Sequence, residues 1–230
     1  MRFQVLTLFP ERYAAYIDSG LPARAHKKGL FELEAVSLRD FAEPARRGRV
    51  DDAPYGGGPG MLLEVGPIDR ALQALPVRLP VVLLSARGEQ LTQPLVRQLA
   101  AEATAKPGGG YTLVCGYYEG VDERVAEHLV DYEVCIGPFV LGSGDLAALC
   151  LIEALTRLLP GYMGSDESHR VESNENGVLE YAQYTRPPEY RGWKVPEILL
   201  SGNHGAIEEW RREQSQSVTQ KRKASHERRE

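Results

Sequence analysis

The residues best suited to chemistry gather at three places where an apolar run gives out in small residues and glycine. The first is Ser85-Ala86-Arg87-Gly88. The second is Cys115-Gly116-Tyr117-Tyr118-Glu119-Gly120, and the third runs from Ile136-Gly137 to Gly142-Ser143-Gly144. Glycine lets backbone come close to another group. Any one of these stretches reads as an ordinary strand-to-helix turn, but three together point to a ligand held by main chain. Glu119 adds a carboxylate at the second junction. Acidic residues in a first helical turn are expected from the helix dipole alone. The same carboxylate can accept hydrogen bonds from a ribose or a ligand ammonium, and both readings stand at this point.

Other chemistry is excluded or left open by spacing. The loop Tyr55-Gly56-Gly57-Gly58-Pro59-Gly60-Met61 does not end in Gly-Lys-Ser/Thr, and no G-x-G-x-x-G follows a strand. Triphosphate hydrolysis and dinucleotide binding are therefore poorly supported. Arg157 closes a helical pattern, where an arginine commonly serves the dipole. Glu172 lies in a polar stretch, where a solvated charge is the plain reading. Cys115, Cys135 and Cys150 form no C-x-x-C pair and have no histidine at ligand spacing. They are expected to be reduced and buried, and a nucleophilic Cys115 has no activating partner in the sequence.

The elements that must position these residues alternate. Strand-length apolar runs are Phe3–Phe9, Phe31–Leu38, Val81–Ser85, Tyr111–Cys115 and Tyr132–Ile136. Helical spacing is seen in Val65–Leu75, Leu91–Ala103, Asp122–Leu129 and Asp145–Leu159. Strands alternating with helices predict an α/β fold with a parallel sheet covered on both faces, and Val81-Val82-Leu83-Leu84 is apolar on both sides as such a strand should be. Ligands in such folds sit at the carboxyl ends of strands, where the three glycine stretches fall. Residues 164–177 are polar and read as a linker. A C-terminal unit follows, with an amphipathic helix over Asn203–Gln214 and a basic tail expected to fray.

The chain has 230 residues and a formal net charge of −5, which by itself argues against a nucleic-acid partner. The charge is not evenly spread. Residues 1–50 carry nine basic and six acidic residues, residues 210–230 carry seven and three, and the stretch between holds the acidic excess. Contact with phosphate depends on the local field, so two basic ends remove the objection. They are also what two solvated surfaces would look like. The longest apolar run, near Pro80–Ala86, is far short of a membrane helix. No secretory signal opens the chain, so a cytoplasmic protein is expected.

Five stretches carry a resemblance. YGGGPGM at 55–61, CGYYEGVDERV at 115–125, IGPFVLGSGDLAAL at 136–149, YTRP at 184–187 and VPEILLSGNHGAIEEWRREQS at 195–215 closely resemble the bacterial tRNA (guanine-N1)-methyltransferases. These belong to the SPOUT superfamily of knotted methyltransferases. The resemblance implies a catalytic domain over 1–160 ending in a deep trefoil knot. A flexible linker over 161–178 and a small helical tRNA-binding domain over 179–230 would follow. It implies a homodimer that methylates N1 of the guanosine immediately 3′ of the anticodon.

By the same resemblance, S-adenosylmethionine would lie against Leu84, Ser85, Ala86, Gly116, Glu119, Ile136, Gly137, Pro138, Phe139, Val140, Leu141 and Gly144. Arg157 would stabilise charge on guanine O6. A linker carboxylate would act as base: Glu172 stands where the family has aspartate, and Asp166 is the second choice. A magnesium requirement is suggested for the family, but no dedicated metal cluster is evident. Tyr117 stands where relatives often have arginine, Pro138 replaces an acidic residue, and the chain after Ser215 lacks the family's usual continuation. A non-catalytic RNA-binding protein on the same scaffold is the alternative reading.

Overall fold

A computed structural model describes residues 1–163 and 178–227. Most of the expected linker, Glu172 and Asp166 included, lies outside the described residues. The chain falls into two compact units, Met1–Gly164 and Ser165–Glu230.

The first unit opens with β1 (Arg2–Thr7), followed by the short helices α1 (Glu11–Tyr16) and α2 (Gly20–Lys27) and then β2 (Glu32–Ser37). Two-residue strands β3 (Asp51–Asp52) and β4 (Leu62–Leu63) pair antiparallel. Helix α3 (Val65–Ala74), β5 (Val81–Gln90), α4 (Gln93–Thr104), β6 (Gly110–Cys115), α5 (Glu123–His128), β7 (Tyr132–Cys135) and α6 (Asp145–Thr156) complete it. Five strands form one parallel sheet in the order β2-β1-β6-β5-β7.

Alternation along each strand builds two cores. Phe3, Val5, Val82, Leu84, Leu113 and Cys115 face one side, where Tyr13 of α1, Leu99 of α4 and Leu151 and Leu155 of α6 cover them. Leu6, Leu83 and Val114 face the other side and meet Ile68 of α3 and Val125 of α5. Each fully buried leucine-sized side chain contributes about 1.5–3 kcal/mol. In the polar pair on the second face Thr112 donates its hydroxyl to the Gln4 side-chain carbonyl at 3.2 Å, while the buried Gln4 Nε2 has no partner among the described residues.

Two departures from expectation bear on the site. Strand β5 does not stop at Ser85. After Leu84 pairs with Val134 the chain loops out, and Glu89 returns to pair with Val134 again. Gly88 makes the return possible: a Cβ there would stand 2.4 Å from the Glu133 carbonyl carbon and the Val134 nitrogen. Helices α1 and α2, too short for a periodic signal, lie between β1 and β2.

The second unit contains a two-stranded hairpin, β8 (Glu189–Tyr190) and β9 (Trp193–Lys194), then α7 (Glu197–Leu200) and α8 (His204–Glu227). Arg191 and Gly192 both have positive φ, as the tightest hairpin turn requires. Asn203 caps α8: its side-chain carbonyl accepts from the Ala206 N–H at 3.2 Å, and its own N–H is fixed by the Ser201 hydroxyl at 3.1 Å. The expected fraying after Gln214 is wrong, because α8 continues to Glu227. Gln220-Lys221-Arg222-Lys223-Ala224 is an unbroken run of good helix formers. Its middle is tied down within the unit: the Thr219 hydroxyl accepts the Leu179 N–H at 2.8 Å, and the Arg211 guanidinium lies 5.0 Å from the Tyr181 ring centre. Among the described residues no helix is long and apolar enough to cross a membrane.

Candidate cofactor site

The three glycine stretches meet around one cavity of about 510 Å³ at the carboxyl ends of β5, β6 and β7. That volume is in the range of small-molecule sites. Leu84, Ser85 and Ala86 form the part contributed by β5 and its loop. Gly116 and Glu119 come from the loop after β6. Ile136, Gly137, Phe139, Val140, Leu141 and Gly144 come from the loop between β7 and α6. Of the twelve cofactor residues expected from sequence, only Pro138 is not brought to the cavity wall, although both its neighbours are.

Glycine is demanded by contact at several of these points. The Gly144 N–H donates to the Gly116 carbonyl at 2.8 Å, and a Cβ on Gly144 would stand 2.9 Å from the Gly116 nitrogen. The two loops therefore close backbone to backbone. At Gly60, φ is +73° and a Cβ would fall 2.3 Å from the Glu119 Cγ. The Glu119 N–H in turn donates to the Met61 carbonyl at 3.1 Å. The end of the YGGGPGM stretch thus docks against the loop that carries Glu119, which accounts for Gly60, while Gly56, Gly57 and Gly58 have positive φ in open surroundings.

The charge at the cavity is mostly negative. Glu119, Glu123 and Glu133 line it together with one cation, Arg87. Arg87 sits 2.6 Å from the Glu123 carboxylate and 3.8 Å from that of Glu133. The remaining field favours a ligand that is itself positive, such as a sulfonium or an ammonium. Leu84, Ile136 and Leu141 supply apolar surface of the kind a flat base needs. Tyr117 and Tyr118 also line the cavity, and sequence reasoning missed their role. Their signal was Tyr118 itself, a tyrosine next to glycine-rich backbone, which adopts φ +59°. Its hydroxyl donates to Asp51 at 3.2 Å.

Arg157 stands elsewhere. It is the C-terminal cap of α6, whose N-terminal cap is Gly144. At a rise of about 1.5 Å per residue it is roughly 20 Å along the axis from the cavity. Within one chain the structure does not bring Arg157 to the cofactor residues.

The cysteine expectation needs one correction. Cys115 and Cys135 are buried, but Cys150 is exposed, because its position on α6 turns it away from the sheet. Burial, and then the neighbouring Asp145 charge, pushes the Cys115 thiol far above its ordinary pKa. It is a protonated core group and no nucleophile. Among the described residues no group of three or more His, Cys, Asp or Glu is placed to hold a metal ion.

Comparison with known proteins points one way. The family described as tRNA (Guanine-1)-methyltransferase TrmD matches residues 1–227. A tRNA (guanine-N(1)-)-methyltransferase from Microcystis aeruginosa is 47% identical over 228 residues, covering 97% of this chain and 95% of the relative. One from Synechococcus elongatus is 48% identical over 225 residues, covering 97% and 93%. Among solved structures, the tRNA (m1G37) methyltransferase from Aquifex aeolicus superposes with a TM-score of 0.79 at 40% identity, covering 96% of this chain and 93% of that one.

Proposed function

The chain belongs to the tRNA (guanine-1)-methyltransferase family, and on that premise we propose how its residues methylate N1 of guanine in tRNA. The observation that carries the reading is the family match over residues 1–227. The target is the guanosine immediately 3′ of the anticodon, and the compartment is the cytoplasm, where unmodified tRNA is met.

S-adenosylmethionine supplies a methyl group on a positively charged sulfur. The cavity suits it on three counts: its volume, its apolar faces at Leu84, Ile136 and Leu141, and its excess of carboxylates at Glu119, Glu123 and Glu133. Ser85, Ala86 and Val140 bring main chain to the wall for hydrogen bonds to the base and ribose, while Gly137 and Gly144 spend theirs within the loops. Pro138 has no N–H to offer and does not reach the cavity wall.

Guanine N1 carries a proton and is a poor nucleophile until it leaves. Glu172 takes that proton, with Asp166 the second choice, as a general base worth about 10²–10⁴ in rate. Negative charge then grows on O6, and Arg157 stabilises it. Because Arg157 lies far along α6 from its own cavity, we propose that it serves the cavity of a second copy. An exposed apolar patch supports a homodimer: Phe139, Val140, Leu141 and Leu146 are 54%, 87%, 37% and 56% exposed and lie together on the cavity loop and the first turn of α6. A deep knot is consistent with the chain path. After β7 at one edge of the sheet, the chain crosses back so that α6 packs on β1 and β6. The residues described form no metal site, so no step is assigned to magnesium.

The second unit is the part we propose for RNA contact. Tyr190 and Trp193 are exposed on the hairpin with Arg191 and Lys194 beside them, a combination suited to stacking and phosphate contact. The test is transfer of labelled methyl from S-adenosylmethionine to unmodified tRNA transcript by the purified protein. Transfer is expected, and it should vanish with a transcript lacking guanosine 3′ of the anticodon. Binding of tRNA without transfer would support the non-catalytic reading instead.

A further inference from the structure

Arg12 lies on α1, outside the cavity, yet touches the supports of two of its walls. Its Nη1 donates to the Ser143 hydroxyl at 3.0 Å and to the Asp145 carboxylate at 2.9 Å. Both residues belong to the end of the β7–α6 loop and the start of α6, and Ser143 lines the cavity. On its other side the guanidinium carbon sits 4.3 Å from the centre of the Phe9 ring. Phe9 meets Tyr117 edge to face at 5.1 Å, and Tyr117 meets Tyr118 at 4.8 Å. Both tyrosines line the cavity from the β6 loop. One side chain therefore joins the loop after β6 to the loop after β7.

The anchor beneath it is rigid. The Asp145 side chain is 2% exposed and also accepts from the Tyr13 hydroxyl at 3.0 Å and from the Thr7 hydroxyl. Tyr13 in turn lies 3.2 Å from the Cys115 sulfur. Thr7 and Cys115 are the last residues of β1 and β6. A buried carboxylate needs its partners, so Asp145 holds Arg12 in place as much as Arg12 balances Asp145.

We infer that Arg12 is a positioning residue for cofactor binding, a bracket that sets the separation of the Tyr117–Tyr118 wall and the Ser143–Gly144 wall. This rests on the reading of the cavity as the S-adenosylmethionine site. Arg12 meets neither cofactor nor guanine and acts through the two loops. Its planar fork is needed for two jobs at once, stacking on Phe9 and hydrogen bonding at its edge, which lysine does only in part.

The test is S-adenosylmethionine affinity by calorimetry, with steady-state kinetics, on full-length variants. Arg12→Ala is expected to weaken the cofactor Kd and KM about tenfold. At saturating cofactor it should leave kcat within about twofold. Arg12→Lys should be intermediate, and Phe9→Leu, which removes only the stacking side, should weaken binding about threefold. The KM for tRNA should not move. If Arg12→Ala lowers thermal stability but binds cofactor as the wild type does, Arg12 is merely structural and the inference is overturned. Should Arg12→Ala fail to fold, Arg12→Lys and Phe9→Leu decide: wild-type affinity in both overturns it. Wild-type protein that binds no S-adenosylmethionine would overturn the cavity reading, and this inference with it.

Discussion

Every buried residue among those described lies in the first unit, and none of the described residues of the second unit is buried. The first unit holds its cavity between loops that close backbone to backbone at Gly116 and Gly144, over a sheet packed on both faces. The second presents a hairpin with both aromatics exposed and a long polar helix held at a few points. A small, charged cofactor needs preformed walls, whereas a large polyanion needs reachable surface. The contrast supports the proposal that the first unit binds cofactor and the second contacts RNA. Substitutions in either unit put that division at risk.

The largest effect is expected at the base. Glu172→Gln should lower kcat for methyl transfer about 10²–10⁴-fold, while cofactor affinity stays at the wild-type value. Asp166→Asn should do little. Rates showing the reverse would reassign the base to Asp166, and lost cofactor affinity in Glu172→Gln would blur the division itself. Arg157→Ala should follow, with a loss of about 10²–10³ in kcat. Mixing it with Glu119→Ala subunits offers a more decisive readout. If Arg157 works on the partner's cavity, the mixture recovers activity that neither parent has; if it works on its own, the mixture stays dead.

Within the first unit, Gly144→Ala should weaken cofactor binding about tenfold or more, because the added methyl would stand 2.9 Å from the Gly116 nitrogen and force the two loops apart. Binding of tRNA should not change. In the second unit, removing residues 221–230 takes away five basic side chains and leaves the Thr219 tie to Leu179 intact. Binding of tRNA should weaken, and its dependence on salt should become shallower by roughly 0.7–0.9 for each phosphate that is no longer neutralised. An unchanged slope would remove the tail from the RNA-binding surface.

The smallest effect concerns Cys115. Its folded pKa is raised, so its contribution to stability is complete below the unfolded thiol value of about 8.5 and is lost as pH rises above it. Urea midpoints should fall between about pH 8.5 and 10, and Cys115→Ala should flatten that part of the profile. An equal slope in the variant would trace the fall to other groups.

The sheet was legible in the sequence because its strands are apolar on both faces and short, as at Val81–Leu84. The cavity was legible for a related reason: glycine at a strand end is needed where backbones meet, and Gly116 and Gly144 meet. Three features were not. The return of β5 after Gly88 depends on β7, which lies over forty residues further on. The length of α8 was hidden by polarity, since a helix with little buried surface has little apolar periodicity to show. Arg12 reaches Ser143 and Asp145 only through the fold, and an arginine in a six-residue helix has no local pattern to mark it.

The most direct test of the central claim is the chemical identity of the product. Unmodified tRNA transcript treated with the protein and S-adenosylmethionine should be digested to nucleosides and resolved by chromatography and mass spectrometry. The account predicts N1-methylguanosine, absent when the guanosine 3′ of the anticodon is replaced. A different methylguanosine, or methylation that survives the replacement, would contradict it.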